Sequence, residues 1–185
     1  MTTSSSVLSV RGLRTEFLSS EKTWFPVVNH VDLEVAPGET LAVVGESGCG
    51  KSMLAHSVLR LLPKKISRLQ GGEVLLGGRD LTTLSDEKMR QVRGNDISMV
   101  FQEPMTSLNP LMTVGNQIAE SILEHEDIST ADATRRSVEL MDLVGISEPA
   151  VRAHHYPFQL SGGLRQRIVI AIALACKPKV LIADE

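Results

Sequence analysis

Aromatic side chains are scarce: Phe, Tyr and Trp make up 3% of the 185 residues, so any core must be built from aliphatic residues. Cysteine is scarcer still. Cys49 and Cys176 lie far apart and outside any C-x-x-C pair, which excludes a disulfide framework and fits a reducing compartment. A basic excess is also missing. The formal charge of −3 leaves no global field to hold a phosphate polymer, so nucleic acid is not a favoured partner. The longest strongly apolar run, "IVIAIALAC" at 168–176, is nine residues, whereas a spanning helix needs about 20. The opening "MTTSSSVLSVRG" lacks the apolar segment of a secretory signal. Export is therefore not expected, and membrane association would have to be borrowed from a partner.

What is present reads as alternating sheet and helix. "SVLSVRGLRTEF" and "PVVNHVDLEV" alternate as strands of a half-solvated antiparallel sheet, and "APGE" at 36–39 makes a turn. "TLAVV" at 40–44 is a solid apolar run that predicts a buried strand, followed by a glycine-rich loop and a helix over "KSMLAHSVLRLL" up to Pro63. "GEVLLGGRDL" predicts a hairpin about Gly77-Gly78, and "DISMVF" at 96–101 another buried strand. From about 113 to 160 the periods become helical, with Ser129 and Asp132 spaced as a capping box and Gly145 as a helix stop. A helix over about 162–176 and the strand "KVLIA" close the chain.

Four stretches carry chemistry. "GESGCGKS" at 45–52 fits G-x-x-x-x-G-K-[ST] after a strand and at the start of a helix, where the pattern has physical meaning. Gly45, Gly48 and Gly50 let the loop curl so that the backbone N–H groups of Glu46, Ser47, Cys49 and their neighbours face an anion at a helix N-terminus. Lys51 supplies a point charge for the β- and γ-phosphates, and the Ser52 hydroxyl is a hard oxygen suited to Mg²⁺. Second, "VLIA" is apolar on both faces, and Asp184 and Glu185 emerge at its carboxyl end on opposite sides of the strand. Alone, such an ending is a solvated strand end. Beside the loop at 45–52, Asp184 is assigned to Mg²⁺ and Glu185 to polarising an attacking water. Third, Gln102 follows "ISMVF" at the same sheet edge, where its amide can meet the metal or hold the water, or simply end a strand. Fourth, "LSGGLRQR" at 160–167 opens a helix with Ser161, Gly162 and Gly163, as a plain N-cap or as a second anion-binding device.

In this order and spacing the four elements resemble ATP-binding cassette (ABC) proteins from about residue 7 to the last. "VGESGCGKS", "VFQEPMTSLNP" and "YPFQLSGGLRQR" resemble the ATP-binding subunits of dipeptide, oligopeptide and nickel importers. The resemblance implies an α/β fold: a P-loop NTPase (RecA-like) core with an N-terminal antiparallel β subdomain and an inserted α-helical subdomain, incomplete at its carboxyl end. The expected division is 1–109 for the β subdomain and P-loop core, 110–161 for the helical subdomain, and 162–185 for the signature helix and the Walker B strand.

It further implies ATP and Mg²⁺ as cofactors, Gln102 as the glutamine that couples nucleotide to membrane subunits, and Ser161, Gly162 and Gly163 as contacts to a nucleotide held by the opposite subunit. The implied partners are a second cassette in a head-to-tail pair, transmembrane permease subunits and, indirectly, a solute-binding protein, at the cytoplasmic face of the membrane. Phe17 matches the adenine-stacking position, with Trp24 and Phe25 as alternatives. Met105, Leu108, Leu111 and Met112 are expected either to line part of a groove for the membrane partner or to be buried within the helical insertion. Two departures from the pattern are Leu164, where many cassettes carry glutamine, and Phe158-Gln159 in place of His-Glu. In the family the chain continues past the catalytic glutamate to a switch histidine. His30, His56, His125, His154 and His155 all precede Glu185. The expectation is thus a partial cassette, with nucleotide binding without effective hydrolysis as the alternative for this form, and a soluble cassette acting on nucleic acid or ribosomes as a less favoured one.

Overall fold

A computed structural model describes residues 6–101 and 107–184. The chain divides into two compact units, Met1–Arg90 and Gln91–Glu185.

In the first unit, strands β1 (Leu8–Leu18), β2 (Trp24–Val35), β3 (Ser67–Leu76) and the short β4 (Arg79–Asp80) form an antiparallel sheet in the order β2-β1-β3-β4. On β1, Val10 and Leu13 are fully buried, on either side of an irregularity in the strand. The ladder slips at the Arg11–Arg14 stretch, where Gly12 has φ +55°. There the backbones of β1 and β3 come so close that a Cβ on Gly72 would lie 2.5 Å from Leu13 Cα. Only glycine permits that approach. The expected hairpin is present: Gly77 and Gly78 both have positive φ, and Leu76 pairs with Arg79 across the two-residue turn.

Helix α1 covers Lys51–Val58, shorter than the expected run to Pro63. Arg60 ends it by adopting φ +52° and donating its guanidinium to the carbonyls of Leu81 and Leu84. Helix α2 (Asp86–Val92) was not anticipated from periodicity; Ser85 starts it by accepting from the Lys88 amide.

One expectation fails in this unit. "TLAVV" forms no strand, and its side chains face outward, with Val44 88% exposed. A strand exists as part of a ladder, and no described strand lies beside this one.

In the second unit, β5 (Ile97–Val100) pairs in parallel with β6 (Val180–Ala183), in register from Ile97↔Val180 to Val100↔Ala183. All four β5 residues are buried, as the continuous apolar pattern requires. Among the described residues, β5 is followed by α3 (Val114–Leu123), α4 (Thr130–Leu143), α5 (Pro149–Arg152) and α6 (Gly162–Leu174), the last two separated by a 3₁₀ turn at Pro157–Gln159. Ile118, Ile122, Met141 and Ile168, drawn from α3, α4 and α6, are fully buried in one aliphatic core.

Local signals set the helix ends. Ser129 Oγ accepts from the Asp132 amide at 3.0 Å, as its position before α4 predicts. At the other end Gly145 (φ +76°) donates to Asp142, and Ile146 donates to Met141, the paired bonds of a Schellman stop. The first amides of α3 are satisfied by distant carbonyls instead: Val114 by His155 and Gly115 by Ala153, both at 2.9 Å. Among the described residues, no helix is long and apolar enough to cross a membrane.

Candidate nucleotide-binding site

The loop 45–52 leads into the N-terminus of α1. Gly48 and Gly50 take φ +81° and +103°, so the chain reverses twice within three residues before the helix begins. Gly50 has a second reason to be glycine: a Cβ there would sit 3.0 Å from the Val27 carbonyl oxygen. Cys49 N donates to Glu46 O at 3.3 Å and Leu54 N to Gly50 O at 2.9 Å, fastening the loop to itself and to the helix. Across this small ring reaches Lys51, whose Nζ donates to Gly45 O at 2.9 Å and Glu46 O at 3.0 Å. Both acceptors are neutral carbonyls, so no carboxylate in the loop neutralises the ammonium. Ser52, in the first turn of α1, is half-buried, and its carbonyl meets His56 Nδ1 at 2.6 Å.

Asp184 follows β6 and is pinned there, its amide donating to Val100 O at 3.0 Å across the parallel pair. It therefore occupies the carboxyl edge of this sheet, where strand ends in α/β folds meet ligands. The expected catalytic Glu185 and Gln102, and Met105 of the expected groove, lie outside the described residues.

At the start of α6, Ser161 caps the helix by accepting from the Leu164 amide at 3.4 Å. Ser161, Gly162 and Gly163 are all exposed, and a Cβ on either glycine would meet open space. Packing among the described residues therefore does not explain the two glycines.

Phe17 is half-buried on β1 and faces Phe25 across the ladder. Trp24 is less suited to stacking, because Arg68 covers one face of its ring at 4.2 Å. The expected groove needs a correction. Leu108 is buried in the core of its unit, because the segment folds it under α3, whereas Leu111 stands 84% exposed. Missed from sequence were Gln117, which braces residues 109–112, and the arginines 136 and 167, which bridge helices. A buried glutamine on a helix was the one available signal. The arginines gave none, since their acceptors are 39 and 22–23 residues away.

A family model described as ABC transporter matches residues 28–185. The chain belongs to the ABC transporter family. Within it, the cassette is 51% identical over 179 residues to a probable peptide ABC transporter ATP-binding protein, y4tR, of Sinorhizobium fredii, covering 97% of this chain and 53% of that protein. It is 48% identical to the dipeptide transport ATP-binding protein DppD of Bacillus subtilis, with the same coverage of each. The cassette thus spans about half the length of these curated relatives. Among solved structures it resembles the ATP-binding cassette MJ0796, in a dimeric post-hydrolysis state bound to ADP and Pi. The TM-score is 0.83 at 27% identity, over 96% of this chain and 73% of that one. The fold class expected from the resemblance, a P-loop NTPase core with an antiparallel β sheet and added helices, is the fold of this neighbour.

Proposed function

We propose that the cassette is the ATP-binding and hydrolysing part of an importer of peptides or nickel, working at the cytoplasmic face of the membrane. The observation that carries the reading is the loop at 45–52: two left-handed glycines ahead of a helix start, and Lys51 spanning the ring on neutral carbonyls. Such a cup suits a polyphosphate and little else. Lys51 would exchange its carbonyl acceptors for β- and γ-phosphate oxygens, gaining charge-assisted hydrogen bonds. The ADP- and phosphate-bound state of the structural neighbour and the names of the relatives support this.

The donor set fits Mg²⁺, which prefers hard oxygens and retains water: the Ser52 hydroxyl, the Asp184 carboxylate and, by its position in the sequence, the Gln102 amide oxygen. Bound there, the cation would neutralise charge developing on the phosphates. Glu185 polarises the attacking water, and Gln102 reports the state of the nucleotide to the membrane subunits. Phe17 stacks on the adenine. Ser161, Gly162 and Gly163 complete the phosphate site of a second cassette in a head-to-tail pair, as the exposure of both glycines allows. Permease subunits would dock near Leu111 and Met112, and a solute-binding protein would act through them. The division into 1–109, 110–161 and 162–185 is part of the same proposal.

Titration calorimetry with MgATP tests the central claim. We expect binding by the folded chain and its loss in Lys51→Ala with an unchanged circular dichroism spectrum. No heat from folded wild type, or equal binding by Lys51→Ala, would overturn it.

A further inference from the structure

We infer that Arg167 is a positioning residue for the loop Ser161–Gly163, fixing the slide of α6 along α4 through a seat that Gly145 keeps open. The inference deepens the proposed role of that loop and rests on it only for its purpose, since the geometry stands by itself.

Two guanidinium groups bridge α4 and α6 reciprocally. Arg167, in the second turn of α6, donates to the carbonyl of Val144 and, at 3.4 Å, to that of Gly145, where α4 ends. Arg136, inside α4, donates at 3.0 Å to the carbonyl of Ala175, where α6 ends, while Glu126 holds the same guanidinium from its other side. Each helix therefore closes the carbonyl end of the other, and the pairings 136 with 175 and 144 with 167 show that the two run antiparallel. A cation at a helix C-terminus also faces the negative end of the dipole.

Gly145, whose φ of +76° already favours glycine at the helix stop, also leaves room for this contact: a Cβ there would fall 2.6 Å from Arg167 Nη1.

Ser161–Gly163 are exposed with empty space about both glycines, between Leu160, which is buried in the core, and the body of α6. The local ties include the long Ser161–Leu164 cap, Arg165 N donating to Ser161 O at 3.0 Å and Arg165 Nε donating to Leu160 O at 3.0 Å. The carboxyl side of the loop therefore moves with α6. Apolar packing through Ile168 and Val169 holds α6 against the core. The guanidinium–carbonyl bonds add a directional tie to that packing.

Hydrogen exchange of the intact chain, read at amides 164 and 165, the first of α6 with hydrogen-bond acceptors, tests this. Arg167→Gln should raise exchange there roughly three- to tenfold, the scale of one lost hydrogen bond, while amides 118–122 in α3 stay unchanged. Arg167→Lys should restore part of the protection. Arg135→Gln, which removes an exposed arginine paired along α4 with Asp132 and Glu139, should do nothing. With MgATP, Arg167→Gln should keep wild-type affinity for nucleotide yet lower ATP-dependent pairing of two copies by a similar factor. Unchanged exchange at 164 and 165 in Arg167→Gln, or an equal rise throughout the unit, overturns the inference. Failure of wild type to bind MgATP overturns the proposed function instead, and leaves the exchange result to decide the positioning role.

Discussion

Gln117 binds Asn109 at both ends of its amide: Oε1 accepts from the Asn109 backbone N–H and Nε2 donates to the Asn109 carbonyl, both at 2.9 Å. The same Nε2 donates to Met112 O at 3.0 Å. One buried side chain thus satisfies three backbone groups of a segment that has no regular secondary structure of its own. Replacing it with Leu keeps the volume and strands all three. We expect Gln117→Leu to lose about 2 kcal/mol in urea unfolding, on the scale of unsatisfied buried polar groups softened by entering water. A loss below about 0.5 kcal/mol would show that the brace contributes nothing.

Gly115 is the place where α3 meets the end of α5. A Cβ added there would lie 2.8 Å from both the Cβ and the carbonyl oxygen of Ala153, and that oxygen already accepts from the Gly115 amide. The backbone cannot yield without breaking this bond. Gly115→Ala should therefore destabilise by about 1–3 kcal/mol despite its better helix propensity, against a gain of roughly 1 kcal/mol at an open site. Thermal unfolding monitored by circular dichroism decides the sign.

What the sequence disclosed was local. The left-handed glycines ahead of α1, the turn at Gly77-Gly78, the Ser129 and Ser161 N-caps and the Gly145 stop each depend on residues within a few positions, and each is present; of the capping box expected at Ser129 and Asp132, the Ser129 half forms, while the Asp132 carboxylate accepts from Ser129 Oγ. What misled was the assumption that an apolar run brings its own neighbours. "TLAVV" has the composition of a central strand, but pairing depends on a second segment, which no pattern inside five residues can supply. For the same reason the Arg136 and Arg167 bridges and the Gln117 brace were invisible, whereas β5 and β6 were each legible as strands from their short, mainly apolar runs.

Acid should weaken the first unit through Glu16. Its carboxylate accepts from Arg68 at 2.7 and 3.0 Å and from Arg14 at 2.7 and 3.1 Å, and it is buried on β1 opposite Arg68 on β3. The Arg68 bonds, then those from Arg14, outweigh burial and hold its pKa below the ordinary 4.5. A folded pKa below the unfolded one gives stability that is complete above the ordinary value and is lost as pH falls through the folded one. Glu126, held by Arg136, titrates in the same direction. Urea midpoints should therefore decline as pH drops below about 4.5, and Glu16→Gln should flatten that decline without abolishing it. An identical acid limb in the variant would remove Glu16 from the account.

The two cysteines offer a chemical readout of the candidate site. Cys176 is buried at the end of α6, with its thiol bonded to Ser121 O at 3.5 Å, and burial pushes its pKa up. Cys49 is exposed within the loop, 4.0 Å from Lys51 Nζ. Since the thiolate is the reactive form and needs access, a maleimide should label Cys49 at least about tenfold faster than Cys176 in the folded chain. If the loop closes over a triphosphate, MgATP should slow Cys49 labelling and leave Cys176 untouched, with Lys51→Ala cancelling the protection. Protection of Cys176 alone would indicate global tightening, and equal rates at both cysteines would mean the chain had opened. Mass spectrometry of the labelled peptides separates these outcomes, because the two cysteines fall in different tryptic fragments, one ending at Lys51 and the other at Lys179, since Pro178 blocks cleavage after Lys177.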